Sequence, residues 1–311
     1  MVEGSDSGLT PMLRQYLEIK EQHKDAILFF RLGDFYEMFF DDAVTASKIL
    51  DIALTSRNRN EPNPVPLCGI PYHAASGYIS KLIEKGKKVA ICEQVEDPAT
   101  AKGIVKREVV QVITPGLITE LEQMRSKENN YLVCFQKNGP RWGVSFLDLL
   151  TGDFKYSELS QEEEVLDLLS FLSPQEILYP ESERDGKFLK KLQERFQATL
   201  LVPQSNWRFD PLLAERLLKE QFQITSLSVF DAEELPTAKE AAGALLYYVK
   251  DNQKLDRLPH LRKLERYEKD SFLWIGQETR RNLELEKTVS GESGRGTLLS
   301  VLDQTLTAMG G

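Results

Sequence analysis

Phe35 and Glu37 stand two residues apart, directly after a tight turn at Gly33-Asp34. In an extended segment residues i and i+2 point to the same face. A flat apolar ring and a carboxylate are then presented side by side. Taken alone, an aromatic in an α/β hairpin is ordinarily core, and a glutamate ordinarily a surface carboxylate. Other chemistry-bearing residues are scattered. Cys68, Cys92 and Cys134 are an odd number, widely spaced, with no Cys-x-x-Cys. That argues against a structural zinc and fits a reducing cytoplasm. His23, His73 and His260 are equally dispersed. No Gly-x-x-x-x-Gly-Lys-Ser/Thr phosphate loop is present. Lys81, Lys85, Lys87 and Lys88 form a basic run, readable as a solvated helix end or as a patch facing a polyanion.

The elements that must position these residues follow from pattern. Thr10-Pro11 is a helix start, Thr as N-cap and Pro at the first helical position. Met12, Leu13, Tyr16 and Leu17 then share one helical face. Ala26–Arg31 reads as a buried strand, and Phe35–Phe39 runs back after the turn. Asp41-Asp42 complements the dipole of a helix reaching about Leu50. Glu61–Pro66, rich in proline, reads as a stiff extended loop. A helix from about Ala74 to Glu84 and strands at Lys88–Cys92 and Val109–Ile113 complete a mixed-sheet α/β unit. From Asn129 a new pattern begins. Tyr131–Phe135, Trp142–Leu147 and Phe154–Tyr156 form a predicted meander. Helix Gln161–Leu172, strand Glu176–Tyr179, helix Lys187–Arg195, strand Ala198–Val202 and helix Asp210–Phe222 follow. The order βββαβαβα is that of a ribonuclease-H-like domain. Beyond about Lys254, Thr279–Lys287 and Thr297–Leu306 are helix candidates of an all-α element. The sequence stops within it, which predicts a piece of a longer protein.

With 311 residues, two or three domains are expected. The hydrophobic fraction of 41% and charged fraction of 28% are those of a soluble globular chain. No apolar run approaches the roughly 18 residues of a membrane span. Met1–Thr10 lacks a signal-peptide pattern, so a cytoplasmic location is expected. The net charge of −9 argues against simple electrostatic binding of a polyanion. It is unevenly spread: residues 1–113 hold 14 basic and 16 acidic side chains, leaving −7 to the remainder. The near-neutral first third is the better candidate for any contact with nucleic acid.

The stretch Gly33-Asp-Phe-Tyr-Glu-Met-Phe39 resembles the amino-terminal domain of the bacterial MutS mismatch-repair family. Thr10–Tyr16, Gly69-Ile-Pro-Tyr-His-Ala74, Val89–Gln94, Asp97–Thr100 and Val112–Gly116 agree with it in order. Leu299–Asp303 and Met309-Gly310 match the start of the family's lever domain. Ala308 departs from the pattern, where the family usually has Pro. The resemblance covers nearly the whole chain and is weakest from about 155 to 235. It implies an α/β multidomain fold: a mixed-sheet α/β mismatch-recognition domain at 9–116 after a disordered 1–8, and a linker at 117–128. A ribonuclease-H-like α/β connector at 129–253 follows, then the truncated start of a helical, all-α lever domain at 254–311.

The resemblance also implies a function. Phe35 would stack on a mispaired base from the minor groove, and Glu37 would hydrogen-bond the displaced base. Asp34, Arg57 and Leu67 would join them. Arg57 touches a phosphate in this reading, with a solvated surface arginine as the alternative. Leu67, placed on the proline-rich loop, lines the groove near Phe35 in this reading, with packing in the core as the alternative. The partners implied are double-stranded DNA with mismatches or small loops, MutL, and a second copy in the full-length homodimer. ATP and Mg belong to the full-length family protein, with no cofactor expected in these residues and no enzyme activity. Two alternatives stand beside this. The acidic connector, with Gln161–Glu164, makes an interaction module with negligible DNA binding of its own. The ribonuclease-H-like order invites a metal-dependent nuclease using Asp148 and Asp153, although the first strand, Tyr131–Gln136, carries no acid.

Overall fold

The computed structural model describes residues 10–57, 64–96, 103–118, 129–268, 275, 277–285, 288–290 and 296–305. They form two compact units. One is built on the residues up to Pro115 with Asp251–Leu255, the other on Gly116–Lys250 with the residues from Asp256. The fold class is α/β with two mixed sheets, as the element order predicts.

In the first unit, helix α1 (Pro11–Gln22) begins where the Thr10 side chain accepts from the Leu13 N–H at 3.4 Å. Strands β1 (Ala26–Leu32) and β2 (Phe35–Phe39) form a hairpin closed by Gly33-Asp34. Gly33 sits at φ +59°, where a side chain is strained. Helix α2 (Phe40–Leu50), β3 (Thr55–Arg57), β4 (Val65–Pro71), helix α3 (Ala75–Glu84), β5 (Lys88–Gln94) and β6 (Arg107–Ile113) follow. The sheet order is β3-β4-β2-β1-β5-β6. Only the β1–β5 pair is parallel.

Helices cover both faces. Leu13 and Tyr16 of α1 pack on Leu28, Phe30, Phe39, Ala90 and Cys92. On the other face the Phe29 and Tyr36 rings lie 5.7 Å apart, and the Cys68 thiol reaches the Ala43 carbonyl of α2 at 3.5 Å. Asp42 does more than complement a helix dipole. Its buried carboxylate accepts from the Tyr16 hydroxyl at 2.9 Å and the Leu28 N–H at 3.0 Å, and pairs with Lys20 at 2.8 Å. It takes over as partner for β1 where β2 parts from β1, and so ties α1, β1 and α2 together.

Two expectations need correction. The proline-rich stretch runs directly into strand β4, and β3 is a strand as well. Prolines hid β4, but each has a neighbour on one side only: Pro66 pairs with Ser56 beyond the last β2 pair, and Pro71 pairs with Phe35 beyond β3. A missing N–H is tolerated at such one-sided positions. The basic run is not one patch. Lys88 is buried and pairs with Asp25 at 2.8 Å, while Lys81, Lys85 and Lys87 are exposed around the end of α3.

The second unit carries the predicted order: β7 (Tyr131–Asn138), β8 (Arg141–Asp148), β9 (Asp153–Leu159), α4 (Glu162–Leu172), β10 (Glu176–Pro180), α5 (Lys187–Arg195), β11 (Leu200–Gln204) and α6 (Pro211–Phe222). Strand β12 (Glu265–Arg266) adds to the edge, giving β11-β10-β7-β8-β9-β12. The Gln161–Glu164 run is a helix N-terminus: Gln161 and Glu164 close a capping box on α4. Helix α7 (Pro236–Gln253) was not foreseen from the sequence. Ala241, Ala242, Ala244, Leu245, Leu246 and Val249 are all fully buried. A helix buried on nearly every side shows no apolar stripe to find. The two terminal helices, α8 (Gln277–Asn282) and α9 (Leu298–Leu302), are shorter than expected. Lys287 and Leu306, the predicted ends, lie outside the described residues. No described helix is long and apolar enough to cross a membrane.

The α6–α7 contact depends on Gly243. A Cβ there would fall 2.3 Å from the Ala214 Cβ and 2.5 Å from its Cα. Helix propensity favours alanine by about 1 kcal/mol, but these obstructing atoms cannot rotate away. Overpacking of about 1–3 kcal/mol therefore wins. Gly243→Ala should lower the urea midpoint of the second unit, and an unchanged or raised midpoint would contradict this packing.

Candidate functional site

Alternation along β2 sets the site. Tyr36 and Met38 are buried on the α2 side, at 6% and 0% exposure. Phe35 and Glu37 must then face the other way. The register extends this across neighbouring strands. Phe35 pairs with Pro71, Glu37 with Gly69, and Phe39 with Leu67. Leu67 pairs in turn with Thr55, two residues before Arg57. Phe35, Glu37, Leu67 and Arg57 therefore share one face of the sheet.

On that face the burial order is inverted. Phe30 and Phe39 are fully covered by α1, but Phe35, at the tip, is 47% exposed. It is not a core residue. Leaving such a ring in water forgoes part of the roughly 1.5–3 kcal/mol that full burial supplies. Glu37, two pairs inward, is half-buried. Among the described residues its Oε2 has no hydrogen-bond partner. The Arg57 guanidinium approaches it at 3.8 Å, an ion pair but beyond hydrogen-bond reach. Burial raises the Glu37 carboxyl above its usual range, and the Arg57 charge offsets part of that rise. Gly69 leaves the space opposite: a Cβ there would lie 3.5 Å from the Glu37 Cγ.

Leu67 is on β4, not on a loop, and packs partly buried against the α1-side core. Asp34 is exposed in the turn, where its carbonyl accepts from the Tyr72 N–H at 3.0 Å. The brace behind the hairpin was not identified from the sequence. The Arg31 guanidinium stacks 3.6 Å over the Tyr72 ring, pairs with Glu93 at 3.5 Å, and donates through Nε to the Gly33 carbonyl at 2.5 Å. The Tyr36 hydroxyl donates to Glu93. Burial, with that hydrogen bond next, pushes its pKa well above the usual phenol value. The sequence signal was Tyr72 within Gly69–Ala74, a motif whose members had no assigned roles. The basic run is elsewhere: Lys88 pairs with Ala26, at the end of β1 opposite Leu32 and Phe35.

Nucleophilic and metal chemistry find little support. Burial, as the main cause, pushes the Cys68 thiol up to about 11 and the Cys92 thiol up to about 12. Asp148 is buried, and its oxygens accept from the N–H groups of Leu150 at 2.9 Å, Thr151 at 3.3 Å and Asn130 at 3.2 Å. It holds the β8–β9 turn. Asp153 pairs with Lys155 at 2.8 Å. Among the described residues no group of three or more His, Cys, Asp or Glu side chains is placed to hold a metal ion.

Comparison with known proteins places these units in a family. The model of MutS domain I matches residues 10–122, and the model of MutS domain II matches residues 130–262. A DNA mismatch repair protein MutS of Desulfosudis oleivorans is 46% identical over 306 residues, covering 98% of this chain and 35% of the relative. The MutS of Alkaliphilus oremlandii is 44% identical over 309 residues, covering 97% and 35%. That of Myxococcus xanthus is 43% identical over 305 residues, covering 98% and 34%. The chain thus spans about a third of the length of the curated relatives it matches.

The strained carboxyl has a measurable consequence. Its pKa is raised in the folded state, so ionised Glu37 costs stability at high pH. That cost vanishes as pH falls through the folded value toward the unfolded value near ~4. Glu37→Gln should raise the denaturation midpoint at pH 8, and the gain should shrink as pH approaches ~4. A gain of constant size across that range would show that ionisation of Glu37 is not its source.

Proposed function

The chain belongs to the MutS family, carrying its domains I and II, and we propose that its first unit probes duplex DNA for mispaired bases through Phe35 and Glu37. One observation carries this reading: an exposed aromatic ring beside a half-buried glutamate whose buried Oε2 has no hydrogen bond among the described residues, both on one sheet face.

A mispaired base stacks and pairs less well than a Watson–Crick pair, so kinking the duplex there costs less. An apolar wedge pushed between base steps tests that difference, at a cost of roughly a few kcal/mol per unstacked step. Phe35 is the wedge. The hairpin behind it is braced by Arg31, Tyr36, Tyr72 and Glu93, so the ring is presented on a rigid support. Glu37 supplies an acceptor for a donor on the displaced base, a partner that its Oε2 does not find among the described residues. In matched duplex the base stays stacked. The carboxylate then faces phosphates with no base donor to compensate, which opposes binding.

Discrimination and grip are separate tasks. Phosphate contacts dominate affinity for duplex DNA, and the near-neutral charge of residues 1–113 offers few of them. In this reading the grip comes from a longer, homodimeric protein, which also holds ATP and Mg. The residues of this chain do not fit that nucleotide: the sequence has no phosphate loop. For the second unit we infer the connector role, relaying the state of the first unit and contacting MutL. Its carboxylates Asp148, Glu176 and Glu158 serve backbone N–H groups and hydroxyls, which supports a structural and docking role over a nuclease. The whole protein would work in the cytoplasm, on DNA.

Removing the carboxylate separates attraction to the error from repulsion by the backbone. In a protein of its relatives' full length, Glu37→Ala should raise affinity for a matched duplex by about tenfold, ~1.4 kcal/mol, and affinity for a G·T duplex by much less. A rise of equal size on both duplexes would remove the repulsion argument.

A further inference from the structure

Glu37 and Arg57 are on different strands with β4 between them, so their contact bridges over a neighbour. The pair combines three properties. The Glu37 oxygen is buried, and among the described residues it has no hydrogen bond. The Arg57 guanidinium stands 3.8 Å away, close enough to act as a counter-charge and too far for a charge-assisted hydrogen bond of about 2.7–2.9 Å. The Arg57 side chain is 41% exposed, so its donors also face solvent on the side where Phe35 projects. Among the described residues, the Arg31–Glu93 pair does not compete. Arg31 pairs across from Tyr36, which puts Arg31 and its partner Glu93 on the opposite face of the sheet. Among the described residues Arg57 is the charged group that acts on Glu37.

We propose that Arg57 is a specificity-determining residue of this site: its guanidinium is the counter-charge to the Glu37 carboxylate on the probe face and offsets the repulsion of that carboxylate by a phosphate backbone. The inference rests on the mismatch-probe reading for its consequence in DNA binding, but not for the ion pair itself. It assigns Arg57 a role beyond touching a phosphate. An independent phosphate contact contributes the same whether or not Glu37 is charged. A counter-charge matters only while the carboxylate is there.

Two readouts test this. In the full 311-residue chain labelled with 13C at glutamate carboxyls, and without DNA, the Glu37 resonance is identified by its loss in Glu37→Gln and then titrated. Arg57→Gln should raise the Glu37 pKa, and Arg57→Lys should leave it nearer the parent value. An unchanged pKa in Arg57→Gln overturns the pair, while leaving the probe reading untouched. The second readout is a double-mutant cycle on matched and G·T duplexes, in a protein of the relatives' full length. Arg57→Gln alone should weaken binding to the matched duplex by about threefold to tenfold and to the G·T duplex by less. Combined with Glu37→Gln, its effect should shrink to within about twofold. Equal losses in both backgrounds overturn the proposal in favour of a plain phosphate contact. A shifted pKa with no discrimination between the duplexes would instead retire the probe reading and keep the ion pair.

Discussion

Strand alternation in β2 is the constraint from which the site follows. Tyr36 and Met38 are committed to the core on the α2 side, and a slip of one residue would turn both out of that core and put Glu37 into it. The register is therefore fixed by burial. The same alternation places Phe35 and Glu37 on the face of α1, at the end of the sheet that α1 does not cover. The proposed probe and the core are thus set by one strand register. Asp42 secures the inner end of β2 by bonding Tyr16 and the Leu28 N–H, and Arg31 secures the outer end through Tyr72 and the Gly33 carbonyl.

Electrostatics within the first unit are balanced by local pairs. Asp25 with Lys88, Lys20 with Asp42, and Arg31 with Glu93 each neutralise a charge at close range. Glu37 differs from these, with a counter-charge at 3.8 Å and no hydrogen bond for its Oε2 among the described residues. A buried acceptor without a bond costs about 1–3 kcal/mol, so its presence beside an exposed aromatic ring carries information. In the proposed reading the ring supplies an apolar surface for stacking, and the carboxylate supplies an acceptor whose satisfaction depends on what the ring displaces.

Much of the architecture was legible in the sequence because it rests on local rules. Thr10-Pro11 gave the start of α1, Gly33-Asp34 the hairpin, and the alternation with turn residues the order of the second unit. The elements that escaped each broke a local rule for a tertiary reason. Strand β4 carries Pro66 and Pro71, acceptable only because each faces one neighbour. Helix α7 has no amphipathic stripe because it is enclosed on nearly all sides. At the site, the shared face of Phe35 and Glu37 was readable from their spacing. The exposure of Phe35 was not, since it depends on where α1 ends over the sheet. The approach of Arg57 to Glu37 across β4 was equally hidden, because it joins strands through a register that sequence does not reveal.

The central claim is that the Phe35 ring discriminates between duplexes and leaves the fold to others. The direct measurement compares the affinities of a protein of the relatives' full length for a G·T duplex and a matched duplex, with Phe35 intact and as Phe35→Ala, alongside the unfolding midpoint of each. With the ring half in solvent, the account predicts that the affinity ratio collapses toward one while the midpoint moves little. A ratio that survives Phe35→Ala in a folded protein would contradict it.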